Sequence, residues 1–559
     1  MLKGAPILAI AVLIGPIVAG LLATLLPSLG YWPALGGNNL SFEPIADLLA
    51  MPGIWQSVAL SFGTGLATTA IALGLVAAFT CGWHDTPIFA RLQHIISPLL
   101  SVPHAAAAFG LAFLIAPSGI ILRLLSPWAT GSDRPPDLLI LNDPMGLALV
   151  AGLIAKEIPF LLLVTLSALP QTPAQRATTV AQSLGYGRTM GFWLTTWPLI
   201  YRQIRLAVFA VLAYATSVVD VAIILGPTSP PTLAVRLTQW MSDPDLSLRF
   251  VASAGALLQL AVTVAAIATW IVGEKVLAAL RTSMIRSGRR ASGDVLVRSL
   301  ALSGVTLSAL VVFFGLIMLG LWSVAGFWPF PDAWPRGLNL DRWTRTLPSL
   351  SSPLQNTLIA GVAATLIAGI LAIACLEREH RTGRDGGSRA LLLIYLPLIV
   401  PQVSFVFGLQ IFFLSLRLDA TWFALIFAHL IFVLPYVFLS LSDPWRAWDK
   451  RYAQIGHGLG ASDDRIFWRI RFPMMIKPIL VATSVGFAVS VGQYLPTLLI
   501  GAGRLPSITT EAVALASGGD RRVIGVYAFV QLLLPFIAFA LATAIPAFLF
   551  RKRRDMRSA

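Results

Sequence analysis

The chain has 559 residues, of which 57% are hydrophobic and only 12% charged. Its mean hydropathy is +0.80, whereas a soluble domain carries about 25% charged residues; this excludes one large soluble core. The formal net charge is +15, but the basic residues gather between apolar runs, as in cytoplasmic loops, which sets nucleic-acid binding aside.

Twelve apolar runs follow one another, each long enough to cross roughly 30 Å of hydrocarbon. They cover 5–27, 55–82, 94–116, 145–169, 200–225 and 250–274, then 300–326, 355–376, 390–416, 419–441, 475–500 and 523–550. The first is long for a signal-peptide core and no A-x-A site follows it, so it is read as an uncleaved span. Cys81 and Cys375 stand near the ends of apolar runs and read as small buried hydrophobes. Lys275, Arg281, Arg286, Arg289, Arg290 and Arg298 fall in one inter-span stretch. Arg378, Arg381, Arg384 and Arg389 fall in another, and the chain closes on RKRRDMRSA. All three lie on one side of a twelve-span chain. That side is expected to be cytoplasmic, with both termini on it. Outward segments are rich in Pro, Gly and Trp; 117–144 is unusually long and has no counterpart in the second half.

Two stretches repeat. SLGYGRTMGFWLTTWP (183–198) aligns without a gap on GLGASDDRIFWRIRFP (458–473) at an offset of 275. The pairs are Leu184/Leu459, Gly185/Gly460, Phe192/Phe467, Trp193/Trp468 and Pro198/Pro473. Upstream, SVPHAAAAFGLAF resembles IVPQVSFVFGLQI at an offset of 298, pairing Pro103 with Pro401 and Phe109-Gly110-Leu111 with Phe407-Gly408-Leu409. The expected organisation is a six-span domain at 1–280, a basic linker at 281–299 and a second six-span domain at 300–559. An even number of spans gives both copies one orientation, so the repeat is parallel with a pseudo-two-fold axis along the membrane normal.

Each repeated loop lies between the fourth and fifth spans of its half, on the basic side. The glycine supports a sharp turn between two short helices, and the proline marks the passage into the next span. Phe192-Trp193 and Phe467-Trp468 give an apolar face. Arg188 in one copy, and Asp463, Asp464, Arg465 and Arg469 in the other, give a polar one. Such a surface helix fits a groove on a soluble partner; the plainer reading is an interfacial helix that caps the bundle.

This pattern resembles the cytoplasmic EAA loop of permease subunits in bacterial binding-protein-dependent ABC importers. Two copies in one chain resemble the fused permeases of the iron(III) and thiamine type. Thr179-Val180-Ala181 and Gln454-Ile455-Gly456 stand where E-A-A would be, so the acidic residue is missing twice. The resemblance implies an all-α protein of the bacterial inner membrane that moves a small solute by alternating access. It assigns ATPase coupling to Gly185, Arg188, Phe192, Trp193, Pro198, Gly460, Asp463, Arg465, Phe467, Trp468 and Pro473. It also implies two ATP-binding cassette subunits as partners, and a periplasmic or tethered substrate-binding protein. No G-x-x-x-x-G-K-[ST] occurs, so ATP and Mg would be held by those partners, with no cofactor, metal or catalytic group in this chain.

Ionisable groups inside spans are functional candidates. Lys156 and Glu157 are adjacent on the fourth span, where they point about 100° apart and also read as an interhelical structural pair. Asp220 lies towards the outer end of the fifth span, and Gln493 near it in the second copy. His104 and Gln402 share one repeat position after a proline. All six are candidates for the translocation path. An ion- or proton-coupled carrier using Lys156, Glu157 and Asp220 is the competing reading. A membrane-embedded enzyme would need an acidic or His cluster that the sequence does not display.

Overall fold

A computed structural model describes residues 2–288, 290, 293–383 and 386–551. Arg289 and Arg384 of the expected basic loops, and the tail from 552, lie outside the described residues. Among these residues the regular structure is helical, with two isolated bridges, Trp32 with Gly37 and Ala325 with Leu338. Each bridge follows the first helix of its half.

Twelve helices carry the bundle. The first half contributes α1 (Ala5–Ser28), α2 (Ile54–Trp83), α3 (His104–Ile115), α4 (Leu147–Ala168), α5 (Trp197–Ser217) and α6 (Leu248–Arg286). The second contributes α7 (Val295–Val324), α8 (Asp341–Thr382), α9 (Gln402–Ser415), α10 (Trp422–Arg446), α11 (Ile476–Val491) and α12 (Arg521–Leu549). Ten helices are long and apolar enough to cross a membrane, or twelve when each of two bent pairs is taken as one span. Ile7, Leu22, Leu307, Ile370 and Ile537 are exposed, which suits a surface facing lipid rather than water.

Four spans are not the continuous rods expected at 94–116, 390–416, 200–225 and 475–500. The chain breaks before α3 and before α9, the latter pair meeting at 84°. Val102 and Val400, each preceding a proline, are extended at φ −68°, ψ 124° and φ −77°, ψ 124°, as the proline ring demands. After α5 the backbone extends at Val218 and resumes as the short helix Asp220–Leu225. After α11 it resumes as Leu495–Gly501. Each break frees backbone polar groups, which only a protein-lined interior or water can satisfy at membrane depth.

The two halves exchange their first helices. α1 packs on its own α6 and on α9 of the other half, while α7 packs on its own α12 and on α3. Both crossings are set by glycine. A Cβ at Gly408 would collide with the Gly20 carbonyl oxygen, and one at Gly110 would lie 2.8 Å from the Gly315 carbonyl carbon. Small residues let membrane helices approach this closely. These are the glycines of the repeated Phe-Gly-Leu triplet.

The unmatched segment of the first half, 117–144, is pinned to the second half by Arg123. Its guanidinium donates to the Pro329 carbonyl (2.7 Å) and the Asp332 carbonyl (3.0 Å). It also stacks 5.0 Å from the Trp328 ring.

Candidate functional site

The repeated loops fold as two elbows with the same backbone. In the first, helix Ala174–Ser183 turns at Gly185 (φ +86°) into helix Arg188–Thr195. In the second, helix Arg451–Gly458 turns at Gly460 (φ +73°) into Asp463–Ile466, continuing through a π-helical stretch at Phe467–Arg471. Gly185 N–H donates to the Gln182 carbonyl (2.9 Å) and Tyr186 N–H to Ala181 (3.1 Å). Gly460 donates to His457 (2.9 Å) and Ala461 to Gly456 (3.0 Å), at the same offset. This is a helix stop that needs a left-handed residue, which glycine adopts without a Cβ penalty. The arms touch at one matched point, where Ala181 meets Gly191 in the first elbow and Gly456 meets Ile466 in the second. The small and large partners are exchanged, so the arms still close. Pro198 and Pro473 lie in the first turn of the helix that follows, where a missing N–H costs nothing.

The residues expected to face a partner divide. Phe192 and Phe467 are buried and anchor the elbows to the bundle. Arg188 also turns inward and donates to the His84 carbonyl. Phe192 packs on the His84 ring with centroids 4.2 Å apart. Burial, and then the Arg188 charge, hold the His84 pKa below its usual value, so the ring stays neutral beneath them. Trp193 stacks on Trp197 (6.2 Å). Asp463, Arg465 and Trp468 remain exposed. Sequence reasoning missed four exposed apolar groups, Val180 (58%) and Leu184 (53%) in one elbow and Ile455 (62%) and Leu459 (82%) in the other. They occupy matching positions, four apart on one helical face. That i, i+4 apolar pair beside an otherwise polar helix was the signal available.

The elbows are tied down differently. Thr189 Oγ1 donates to Asp294 Oδ2 (2.6 Å). In the second elbow Arg381 pairs with Asp464 (2.8 Å) and Arg471 with Glu377 (3.0 Å).

Of the intramembrane candidates, three come together. His104 is the first residue of α3, and its Nε2 lies 3.4 Å from Glu157 Oε1. Asp220 opens the short helix after α5 and is within electrostatic reach of His104. The His104 ring lies 4.7 Å from that of Tyr214, which is itself within reach of both carboxylates. The second half adds Tyr436, within electrostatic reach of Glu157, and Tyr494, within reach of Asp220. Lys156 acts on Glu157 through its charge but is not aimed at it. It turns away and donates to the Leu99 and Leu100 carbonyls, both at 2.9 Å, closing the turn that precedes the break. Gln493 is buried, with an Oε1 that accepts no hydrogen bond. Gln402 begins α9 at the position matching His104. The three tyrosines, and a His429 held between Ser490 Oγ (2.7 Å) and Thr497 Oγ1 (2.9 Å), were not foreseen. Their spacing along the chain carries no common pattern.

Residues 383–554, which include the second elbow, match the family of binding-protein-dependent transport system inner membrane components. The chain is similar to the inner membrane ABC transporter permease protein YnjC of Escherichia coli K12, with 31% identity covering 98% of this chain and 97% of that one. It is also similar to the spermidine/putrescine transport system permease protein PotC of Haemophilus influenzae, 22% identical over 33% of this chain and 71% of PotC. The PotC homologue of Mycoplasma pneumoniae is 24% identical over 41% of this chain and 79% of its own length.

Proposed function

The chain belongs to the inner-membrane permeases of binding-protein-dependent ABC importers, and on that premise we propose that its two elbows each seat one ATPase subunit. It is a non-catalytic, multi-pass subunit of an importer, which retires the ion-coupled and enzymatic alternatives. We read residues 1–280 and 300–559 as its two working halves, joined by 281–299. The elbows and both termini face the cytoplasm, and ATP and Mg act on the partner subunits. A binding protein delivers solute to the outward side.

The observation that carries this reading is the twice-built elbow, with Val180 and Leu184, or Ile455 and Leu459, standing uncovered. Exposed apolar pairs at a motif meant for docking mark a covered interface. Leu184→Asp and Leu459→Asp each weaken co-purification of the ATPase, and together abolish it, while the chain still inserts. Retention of two ATPase subunits by the double variant would overturn the docking assignment.

For the solute, we favour a polyamine-like organic cation over iron(III) or thiamine. The permeases named for spermidine and putrescine support this, as do the buried carboxylates within electrostatic reach of tyrosines. Uptake of labelled spermidine by proteoliposomes holding the full complex tests it, with thiamine and iron(III) as the competing solutes.

A further inference from the structure

We propose that Glu157, Asp220, His104, Tyr214, Tyr436 and Tyr494 form one off-axis resting site for an ammonium group of the solute. The site rests on the polyamine-type reading above and gives it an address. The starting observation is a mismatch. Glu157 is 3% exposed and its Oε1 accepts no hydrogen bond; its nearest imidazole nitrogen, His104 Nε2, stands at 3.4 Å. A buried carboxylate is ordinarily held by hydrogen bonds or a close cation. The adjacent Lys156 acts on Glu157 through its charge, but its ammonium donates to two backbone carbonyls, so Glu157 Oε1 keeps its acceptor capacity. Asp220 is 7% exposed, while His104 and the three tyrosines around the carboxylates are only half-buried. The rings thus form the more accessible wall of the group, and the acids lie deeper.

The chemistry of that wall selects its ligand. Carboxylates accept N–H bonds from an ammonium, and tyrosine faces attract a cation within about 6 Å of the ring centre. An anionic solute would meet two carboxyl groups instead of a cation.

The repeat shows that the site is single. With Pro159 set on Pro435, Glu157 falls on Val433; at the offset of the elbows, Asp220 falls on Leu495 and Tyr214 on Val489. Tyr436 and Tyr494 have Phe160 and Val219 as counterparts. Asp220 and Leu495 each open the short helix after the fifth-span break. The backbone is thus duplicated while the chemistry is not. The first half supplies both acids, and the second half closes the site with two rings. The site is complete only when the halves approach, which couples occupancy to their relative motion.

The test uses the full complex in proteoliposomes with labelled spermidine. Glu157→Gln and Asp220→Asn should each raise the spermidine concentration for half-maximal uptake about tenfold or more. Glu157→Asp and Asp220→Glu, which restore the charge, should recover part of it. A second measurement needs no variant: saturating spermidine should slow modification of Glu157 by a hydrophobic carbodiimide, read by peptide mass. If wild type takes up spermidine, unchanged uptake by both neutral variants, or unaltered labelling, overturns the site while the polyamine reading stands. If wild type takes up neither spermidine nor putrescine, both fall.

Discussion

Arg471 shows how much one side chain can hold at the root of an elbow. It is buried, donates to Glu377 Oε2 (3.0 Å) and the Trp445 carbonyl (2.8 Å), and lies over Trp445 and Trp448 at 4.6 and 4.8 Å. Its counterpart in the first elbow is Thr196, so the second elbow alone has this clasp. Removing one partner of a buried ion pair leaves an uncompensated charge, at a cost of about 3–5 kcal/mol. Arg381, 2.8 Å from Glu377, keeps Arg471→Met towards the lower end. Thermal unfolding of the purified chain should show that loss, and Arg471→Met with Glu377→Gln should cost less than the sum of the two singles. Additive effects would mean that the pair is not coupled.

The proposed coupling belongs to the scale of elements. An elbow works as a lever only if its two arms keep a fixed angle, and the left-handed glycine sets that angle. At Gly460 a Cβ would meet open space, so only the backbone resists substitution. A β-branched residue there costs roughly 1–2 kcal/mol and opens the turn. At Gly185 a Cβ would also lie 3.2 Å from Arg290 Cδ. Gly460→Val should therefore lower the ATPase response to loaded binding protein, and Gly185→Val should lower it further. Gly460→Asn, which tolerates the left-handed region, should retain most of the response. An undiminished response in both valine variants, with the chains inserted, would remove the lever role. The proline breaks before α3 and α9 belong to the same scale, because they place His104 and Gln402 at helix starts inside the bundle rather than midway along a rod.

At the scale of the molecule, the exchange of α1 and α7 makes the halves interdependent. Gly20 with Gly408, and Gly110 with Gly315, are backbone contacts between halves, and Thr24 Oγ1 donates across one of them to the Ser404 carbonyl (3.2 Å). A half expressed alone would expose the helix faces that these contacts cover. Fragments 1–294 and 295–559 should co-purify as a stable complex when expressed together, and each should be degraded when expressed alone. A stable, monodisperse single half would show that the exchange is dispensable.

By itself the sequence determined the class: the hydropathy, the even number of spans, and the doubled Leu-Gly…Phe-Trp…Pro loop. These depend on local spacing, which the chain carries openly. It also located Gly110 and Gly408 and the two elbow turns, because glycine and proline act through the backbone. Only the tertiary structure decided what those residues touch. Phe192 and Arg188 turned inward, Lys156 went to backbone carbonyls, and Glu157 came within electrostatic reach of Tyr436 on a helix of the other half. Charge and burial at membrane depth are set by which helices cross, and in this chain the first helix of each half crosses the other.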